Sequence, residues 1–193
     1  MTGEASQDLE LWEEFKQGES KALDKIYMEQ FSSMYNYGLK IHNDHDFIID
    51  SIQELFAELW AKRENLGEAN SIKFYLLKSI KRKIIKKLNR INPTSSLNAI
   101  NERYNFEVEY SIEHEIILSD TSVEQSEGLI KALNKLSDRQ REIIYLRFYL
   151  GLKFEQISEI MSIKNQSARN LLFDGVSKLK TILVSSIIIF CIF

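Results

Sequence analysis

The residues of this chain best suited to chemistry are hydrogen-bond donors and cations. Lys164, Asn165, Gln166, Ser167, Arg169 and Asn170 gather in one short stretch. Arginine can bond guanine in a two-pronged fashion, asparagine or glutamine can do the same with adenine, and serine can hold a phosphate. A second set, Lys78, Arg82, Lys86 and Arg90, recurs at intervals of four, and no Asp or Glu occurs from Ala69 to Asn101. Lys73, Lys81, Lys83 and Lys87 widen that cationic band. Solvated helix faces usually mix both signs to gain i, i+4 pairs. A row without carboxylates therefore suits a polyanion better than it suits a plain lysine-rich surface, which is the competing reading.

Other constellations offer less. His42 and His45 with Asp44 and Asp46 carry metal-binding atoms, but they crowd into one short segment with no further ligand nearby. They read as a polar turn, and no metal is expected. His114 is isolated, and Cys191 lies in an apolar tail without a partner base. A single cysteine excludes an internal disulfide framework. No phosphate loop, nucleophile elbow or paired-carboxylate motif occurs. The chain is expected to be no enzyme, with no catalytic residue and no cofactor.

The elements that must position these residues are helices. The chain has 193 residues with 7 Gly and 1 Pro, and its apolar residues recur at helical spacing. The expected fold class is all-α: two small helical domains joined by an acidic linker, the second a helix-turn-helix domain of three to four helices without a wing. Two domains of roughly 80 residues can each bury a modest core. The net charge of -3 does not by itself mark a free-standing nucleic-acid binder, so the segregation of charge carries the signal.

The first domain is expected over 1–92. Ser6 can cap a helix bearing Leu9, Trp12 and Phe15, and Gly18-Glu19-Ser20 breaks it. Ser20 can cap a second helix bearing Leu23, Ile26, Tyr27, Phe31, Met34 and Ile41. After the turn from His42 to Asp46, Ile48, Ile52, Leu55, Phe56 and Leu59 mark a third helix. A polar loop from Lys62 to Asn70 leads to a fourth helix that Ser71 can cap. There Ile72, Leu76, Ile80, Ile84 and Leu88 form an apolar row, offset by two residues from the basic one. At 100° per residue the offset is about 200°, which puts the rows on opposite faces.

Pro93 follows that helix, and residues 93–121 hold six acidic residues against one basic. They read as the linker, with local helix around Ile112 to Leu118. The second domain is expected over 122–184. Ser122 with Gln125, and Ser137 with Gln140, are capping-box patterns. Gly151 can end the helix that Ser137 starts. A short helix at Phe154 to Met161, a turn at Ser162-Ile163-Lys164 and a longer helix from Asn165 to about Leu183 make a helix-turn-helix. In that arrangement the start of the second helix reaches base edges in the major groove. Ala168, Leu171, Leu172, Val176 and Leu179 are its expected buried face. Any three-helix bundle with a short turn shares this pattern. Asp174 and Gly175 count against a strong reader, the first by repulsion and the second by costing about 1 kcal/mol relative to Ala. The apolar tail, 185–193, is part of an apolar run from Ile182 too short to span a bilayer, which takes about 20 residues. No stable membrane insertion is expected, and with no secretory signal the expected compartment is the cytoplasm.

Two stretches resemble a known family. Ile49-Asp50-Ser51-Ile52-Gln53-Glu54-Leu55-Phe56 followed by Leu59-Trp60 resembles the "D-x-x-Q-E-x-F…L-W" signature of RNA polymerase sigma factors. Leu136-Ser137-Asp138-Arg139-Gln140-Arg141-Glu142-Ile143 is similar to the "L-P-x-R-Q-R-E-I" opening of their promoter-reading domain. The likeness continues through Leu146 to Gly151, Glu155-Gln156-Ile157 and Gln166 to Asn170. The short chain looks like the extracytoplasmic-function group of the sigma-70 family, and its lysine-rich fourth helix looks like the Bacteroidetes-type members.

The resemblance implies core RNA polymerase, promoter DNA and an anti-sigma factor as partners. It implies that Asp50, Gln53, Glu54, Phe56 and Trp60 dock onto the polymerase. It implies that Asn65, Glu68, Asn70 and Ser71 capture a flipped base of the minus-ten element, while Lys78, Lys81, Arg82 and Lys86 hold the melted strand. Lys164, Asn165, Gln166, Ser167, Arg169 and Asn170 would read the minus-thirty-five element, and the acidic linker would thread the polymerase's RNA channel. The chain departs from the family at Arg82, often Asn, and at Lys153 and Lys164, often Ser or Thr. It departs again at Leu171 and Asp174, where Arg is common. Two other readings stay open: a conventional helix-turn-helix regulator that works without polymerase, and a membrane-associated adaptor using the apolar tail and the basic helix.

Overall fold

The computed structural model describes residues 2–91, 106 and 123–190, with side chains placed at 7–91, 106 and 128–184. The regular structure among these residues is helical. The chain divides into two compact units, Met1–Arg103 and Tyr104–Phe193.

The first unit holds α1 (Thr2–Lys16), α2 (Ser20–Ile41), α3 (His45–Ala61), a single 3-10 turn (Arg63–Asn65) and α4 (Ile72–Ile91). Its core gathers Trp12, Phe15, Ile26, Met34, Tyr37, Ile48, Ile52, Leu76, Ile80 and Ile84, each at most 2% exposed. Burial of this apolar stripe drives the packing, because most of a helix's stability in a protein comes from packing its apolar face. α2 approaches α3 and α4 tightly at Gly38. A Cβ there would stand 2.8 Å from Ile48 Cγ2 and 3.3 Å from Ile84 Cδ1, so only glycine lets α2 reach α3 and α4 together.

Local signals explain most helix ends. The Asp44 carboxylate accepts from the Phe47 N–H at 3.0 Å and starts α3, so His45 and Asp46 belong to that helix and not to the turn. Ser71 accepts from the Phe74 N–H at 3.3 Å, as its position before α4 predicts. Asp8 of α1 adds a second acceptor, for the Ile72 N–H at 3.1 Å. Two expected caps are corrected. Ser6 lies inside α1, and Ser20 is the first helical residue of α2, behind an extended Glu19. Gly18, at φ +91°, turns the chain in the left-handed region and delivers Glu19 already extended, so the helix begins one residue early.

The second unit holds α5 (Val123–Leu133), α6 (Asp138–Ile144) running into a π-turn (Tyr145–Tyr149), α7 (Phe154–Ile160) and α8 (Asn165–Phe190). Ser137 and Gln140 form a reciprocal capping box at the start of α6. Gly151, at φ +71°, ends the π-turn as the sequence predicts. Its neighbours carry the same signature: Leu150 N–H returns to the Tyr145 carbonyl, and Leu152 N–H to that of Leu146, each at 3.0 Å. Between α7 and α8 the chain reverses through Ser162, at φ +53°.

The residues of the 136–143 motif are structural clamps. Arg141 pairs with Asp138 and donates to the Asn134 carbonyl at 3.0 Å. Arg139 donates to the Met161 carbonyl at 3.3 Å, tying α6 to the end of α7. Phe106, from the segment expected to be linker, is fully buried in this unit. Its N–H donates to Asp138 at 3.2 Å, and its ring meets Tyr145 edge-on at 5.7 Å.

The buried side of α8 is narrower than expected. Ala168 is 0% exposed, but Val176 is 40% exposed and Phe173 72%. Gly175 takes the inward place instead, facing Gln140 and Ile144 of α6 at ordinary contact distance, and Val176 lies 100° around from it. The Ser122 cap and the rest of 93–121 lie outside the described residues. Of the tail, the α8 backbone is described to Phe190, while its side chains and residues 191–193 are not.

Candidate nucleic-acid interfaces

In the first unit, α3 and α4 border a groove of about 370 Å³. The basic residues of α4 divide into two sets there. Lys83 bonds Glu58 at 2.7 Å and Glu54 at 3.2 Å, and Lys87 bonds Glu54 at 3.0 Å. These carboxylates come from α3, so two cations of the band without acids in sequence are neutralised in space. The Lys87 and Lys83 bonds hold the Glu54 carboxyl below its ordinary range, and the Lys83 bond does the same for Glu58. The outer set, Arg82, Lys86 and Arg90, is exposed along the groove. Lys78 is half-buried, with its ammonium 5.5 Å from the Phe74 ring centre. Lys81, expected to face a strand, is only 5% exposed and stands on the core side.

The groove also holds Tyr75 and Ser79, which the sequence reading did not single out. Tyr75 packs on Trp12 at 5.0 Å, and burial pushes its hydroxyl above the usual range while the Ser79 hydrogen bond opposes that. An aromatic ring beside a row of cations is a platform for an unpaired base. The signal was present: Tyr75, Ser79, Arg82, Lys86 and Arg90 follow at i, i+4, i+7, i+11 and i+15, which is one helix face. In the stretch before α4, Asn65, Glu68 and Asn70 are exposed and Ser71 is half-buried, its side chain capping the helix.

Along α3, Asp50, Gln53 and Glu54 share an exposed face, whereas Phe56 is 7% exposed and meets Tyr27 edge-on at 4.9 Å. Phe56 thus supports that face from beneath and does not form it. Trp60 is half-buried, against Phe15 at 5.9 Å and under the Arg63 guanidinium at 4.8 Å. The two histidines are engaged separately, His42 with the Phe47 ring and His45 with the Tyr35 hydroxyl. Among the described residues no group of three metal-binding side chains gathers.

In the second unit, α7, the Ser162 turn and α8 bring all six predicted residues to one exposed corner, with Asn165 the most sheltered. They are already connected there. The Asn165 amide donates to Glu155 of α7 at 3.0 Å, and its carbonyl accepts from Arg169 Nε at 3.0 Å. The Arg169 guanidinium lies 4.5 Å from the Phe154 ring centre and 3.8 Å from Glu155. Gln166 donates to Asn170 at 2.9 Å. Glu155's own backbone N–H and the Asn165 amide hold its carboxyl below the ordinary range. At the start of α7, Gln156 accepts from the Lys153 N–H at 2.9 Å, which is half of a capping box; lysine supplies no acceptor for the other half. Asp174 is exposed on α8, one turn beyond this corner.

Residues 126–179 match the family model described as sigma-70, region 4. The chain is 23% identical over 164 residues to the ECF RNA polymerase sigma factor SigK of Mycobacterium sp. (strain JLS), covering 84% of this chain and 83% of that protein. The SigK of strain KMS matches to the same extent, at 23% identity over 164 residues. Among solved structures, the fold is shared with the sigma factor RpoE in complex with the anti-sigma factor NepR from Bartonella quintana. That likeness has a TM-score of 0.59 at 16% identity, covering 84% of this chain and 97% of that one. It is shared too with CnrH in complex with the cytosolic domain of CnrY, at a TM-score of 0.59 and 13% identity over 92% of this chain and 97% of that one. No described helix is long and apolar enough to cross a membrane.

Proposed function

We infer that the chain is a sigma factor of the extracytoplasmic-function group of the sigma-70 family, which binds core RNA polymerase and directs promoter recognition and transcription initiation. The observation that carries this is the region 4 match at 126–179, where the helix-turn-helix stands. The likeness to curated sigma factors over 84% of the chain extends the reading to the first unit. It also disfavours a helix-turn-helix regulator whose first domain serves some other purpose.

Each part then has a task. Residues 1–92 dock onto polymerase and hold the minus-ten element, 93–121 link while seating Phe106 in the second unit, and 122–184 read the minus-thirty-five element. Asp50, Gln53 and Glu54 supply the polymerase-docking face, Trp60 flanks it, and Phe56 holds it in shape. Asn65, Glu68, Asn70 and Ser71 receive a base turned out of the duplex, at an unstacking cost of a few kcal/mol. Tyr75 stacks on the next unpaired base, while Arg82, Lys86 and Arg90, with Lys78 beside them, hold the strand's phosphates. Lys164, Gln166, Ser167, Arg169 and Asn170 meet the major groove, with Asn165 behind them. The protein works beside polymerase in the cytoplasm and catalyses no reaction of its own. The complexes in which the neighbouring structures were solved support an anti-sigma factor as a further partner. The lysine-rich α4 supports a place among Bacteroidetes-type members.

The test is transcription with purified core polymerase from a pool of genomic fragments, with and without this protein. New transcripts sharing two upstream elements are expected. Absence of core binding even at low salt would sink the reading.

A further inference from the structure

We propose that Glu155 is the positioning residue that makes Arg169 a selective base reader and keeps it off the phosphate backbone. The inference rests on the reading that the start of α8 enters the major groove. Arg169 is a long cation on an exposed helix start, and its side chain remains about half exposed at 51%. Beside a duplex, the strongest pull on such a group is toward phosphate, which carries no sequence information. Selective readout needs the guanidinium fork held in one plane before contact.

Three contacts do this. The Phe154 ring lies under the guanidinium at 4.5 Å and holds it against α7. The Asn165 carbonyl takes the Nε proton at 3.0 Å and sets the direction of the guanidinium fork. Glu155 settles that direction indirectly, because its carboxylate accepts the Asn165 amide at 3.0 Å. A carboxylate can only accept and an arginine can only donate. Asn165 between them can therefore stand only one way round, with its oxygen toward Arg169. Glu155 also stands 3.8 Å from the guanidinium, close enough to oppose its swing toward a phosphate. The arrangement has a cost, since an exposed carboxylate at this corner repels the duplex. Affinity is given up for selectivity.

This assignment removes Asn165 from the base-contacting set. Both ends of its amide are engaged within the protein, so it acts through Arg169. The competing role for Glu155 is simple support of α7, where a carboxylate in the first turn favours the helix dipole.

The two roles separate in one series of variants: Glu155→Ala, Glu155→Gln, Arg169→Ala and the double variant Glu155→Ala with Arg169→Ala. Each is assembled with core polymerase. Binding is measured by competition on promoters carrying every base-pair substitution in the upstream element, at several salt concentrations. Arg169→Ala identifies the base pair that Arg169 reads, by loss of preference there. Glu155→Ala is expected to lower preference at that same base pair about tenfold. It should also raise affinity for the averaged sequence a few-fold and steepen the salt dependence by about one phosphate contact. Glu155→Gln keeps a carbonyl acceptor for Asn165, so it retains the preference while sharing the steeper salt dependence. The double variant is no less selective than Arg169→Ala alone. In the free full-length protein, the Arg169 Nε–H resonance is slow to exchange in wild type and Glu155→Gln, and fast in Glu155→Ala.

An unchanged preference in Glu155→Ala overturns the proposal. So does a uniform loss of affinity accompanied by a lower unfolding temperature, which is the signature of helix support alone. If Arg169→Ala alters no base preference while the Nε–H exchange behaves as expected, the groove reading of α8 has failed and the positioning role falls with it. Fast Nε–H exchange in wild type overturns the network directly.

Discussion

The two units carry positive charge in opposite ways. On α4, three cations, Arg82, Lys86 and Arg90, stand exposed in a row while two inner lysines are tied to Glu54 and Glu58 of α3. At the start of α8, one arginine is held by a ring, an amide and a carboxylate. The first arrangement supplies potential along a length and leaves side-chain directions loose. The second supplies little potential and constrains direction. A strand's phosphates need the first and a base edge needs the second. The carboxylates differ accordingly. Those of α3 brace the packing of two helices, and that of α7 orients a single side chain.

The largest effect should come from replacing Arg82, Lys86 and Arg90 together by Gln. Single-strand binding loses about 0.7 in salt slope per phosphate contact, so three contacts amount to roughly 100-fold at about 0.1 M salt. Binding of the polymerase complex to a premelted template, followed against salt, reads this out, and an unchanged slope would remove the contrast between the units. Next is the packing beneath each face. Gly38→Ala forces a methyl against Ile48 and should destabilise the first unit by about 1–3 kcal/mol. Both tryptophans, Trp12 and Trp60, lie in that unit, so their fluorescence reports its unfolding separately.

In the second unit, Gly175→Ala meets only ordinary contacts and removes a helix-interior glycine. Ser162→Gly relieves a left-handed serine. Each should stabilise by up to about 1 kcal/mol in denaturant unfolding followed by helicity. A loss from Gly175→Ala would mean that the α6–α8 crossing is as tight as the one at Gly38.

The smallest effect concerns pH. Glu54 and Glu58 have folded pKa values depressed below their unfolded ones. Their contribution is therefore complete above the ordinary carboxylate range and is lost as pH falls through the depressed values. Both groups are well exposed, so a few tenths of a kcal/mol is expected. The tryptophan-reported midpoint should fall less between about pH 6 and 3 when both are changed to Gln.

Much of this was readable along the chain because it depends on local periodicity. The apolar row of α4, the Ser137 capping box, Gly151 and the α7–α8 turn depend on neighbours a few residues away. Failures came where a distant element decides. Nothing near Lys83 and Lys87 indicates that carboxylates of α3 neutralise them. Lys81 stands between Leu77 and Ile85 at i−4 and i+4, so its inward place was legible, but its charge assigned it to the basic band. Phe56 belongs to a surface motif yet lies beneath the surface, because α3 must also bury Leu55 and Leu59. The inward place that Val176 seemed to hold belongs to Gly175, since α6 approaches from that side. The Glu155–Asn165–Arg169 link joins two helices across a turn, and pattern alone assigned Asn165 to base contact.

The placement of Phe106 bears on how the molecule can be dissected. Its ring and backbone N–H complete the surroundings of Tyr145 and Asp138, although some 16 residues of sequence lie between it and the first helix of the second unit. A fragment cut at residue 122, where the composition changes, would leave a ring-sized hole in its core. Large-to-small changes of that kind cost about 3–5 kcal/mol, a large share of a small domain's stability. A protease or a cloning boundary acting anywhere between residues 107 and 121 would separate the second unit from one of its own core residues.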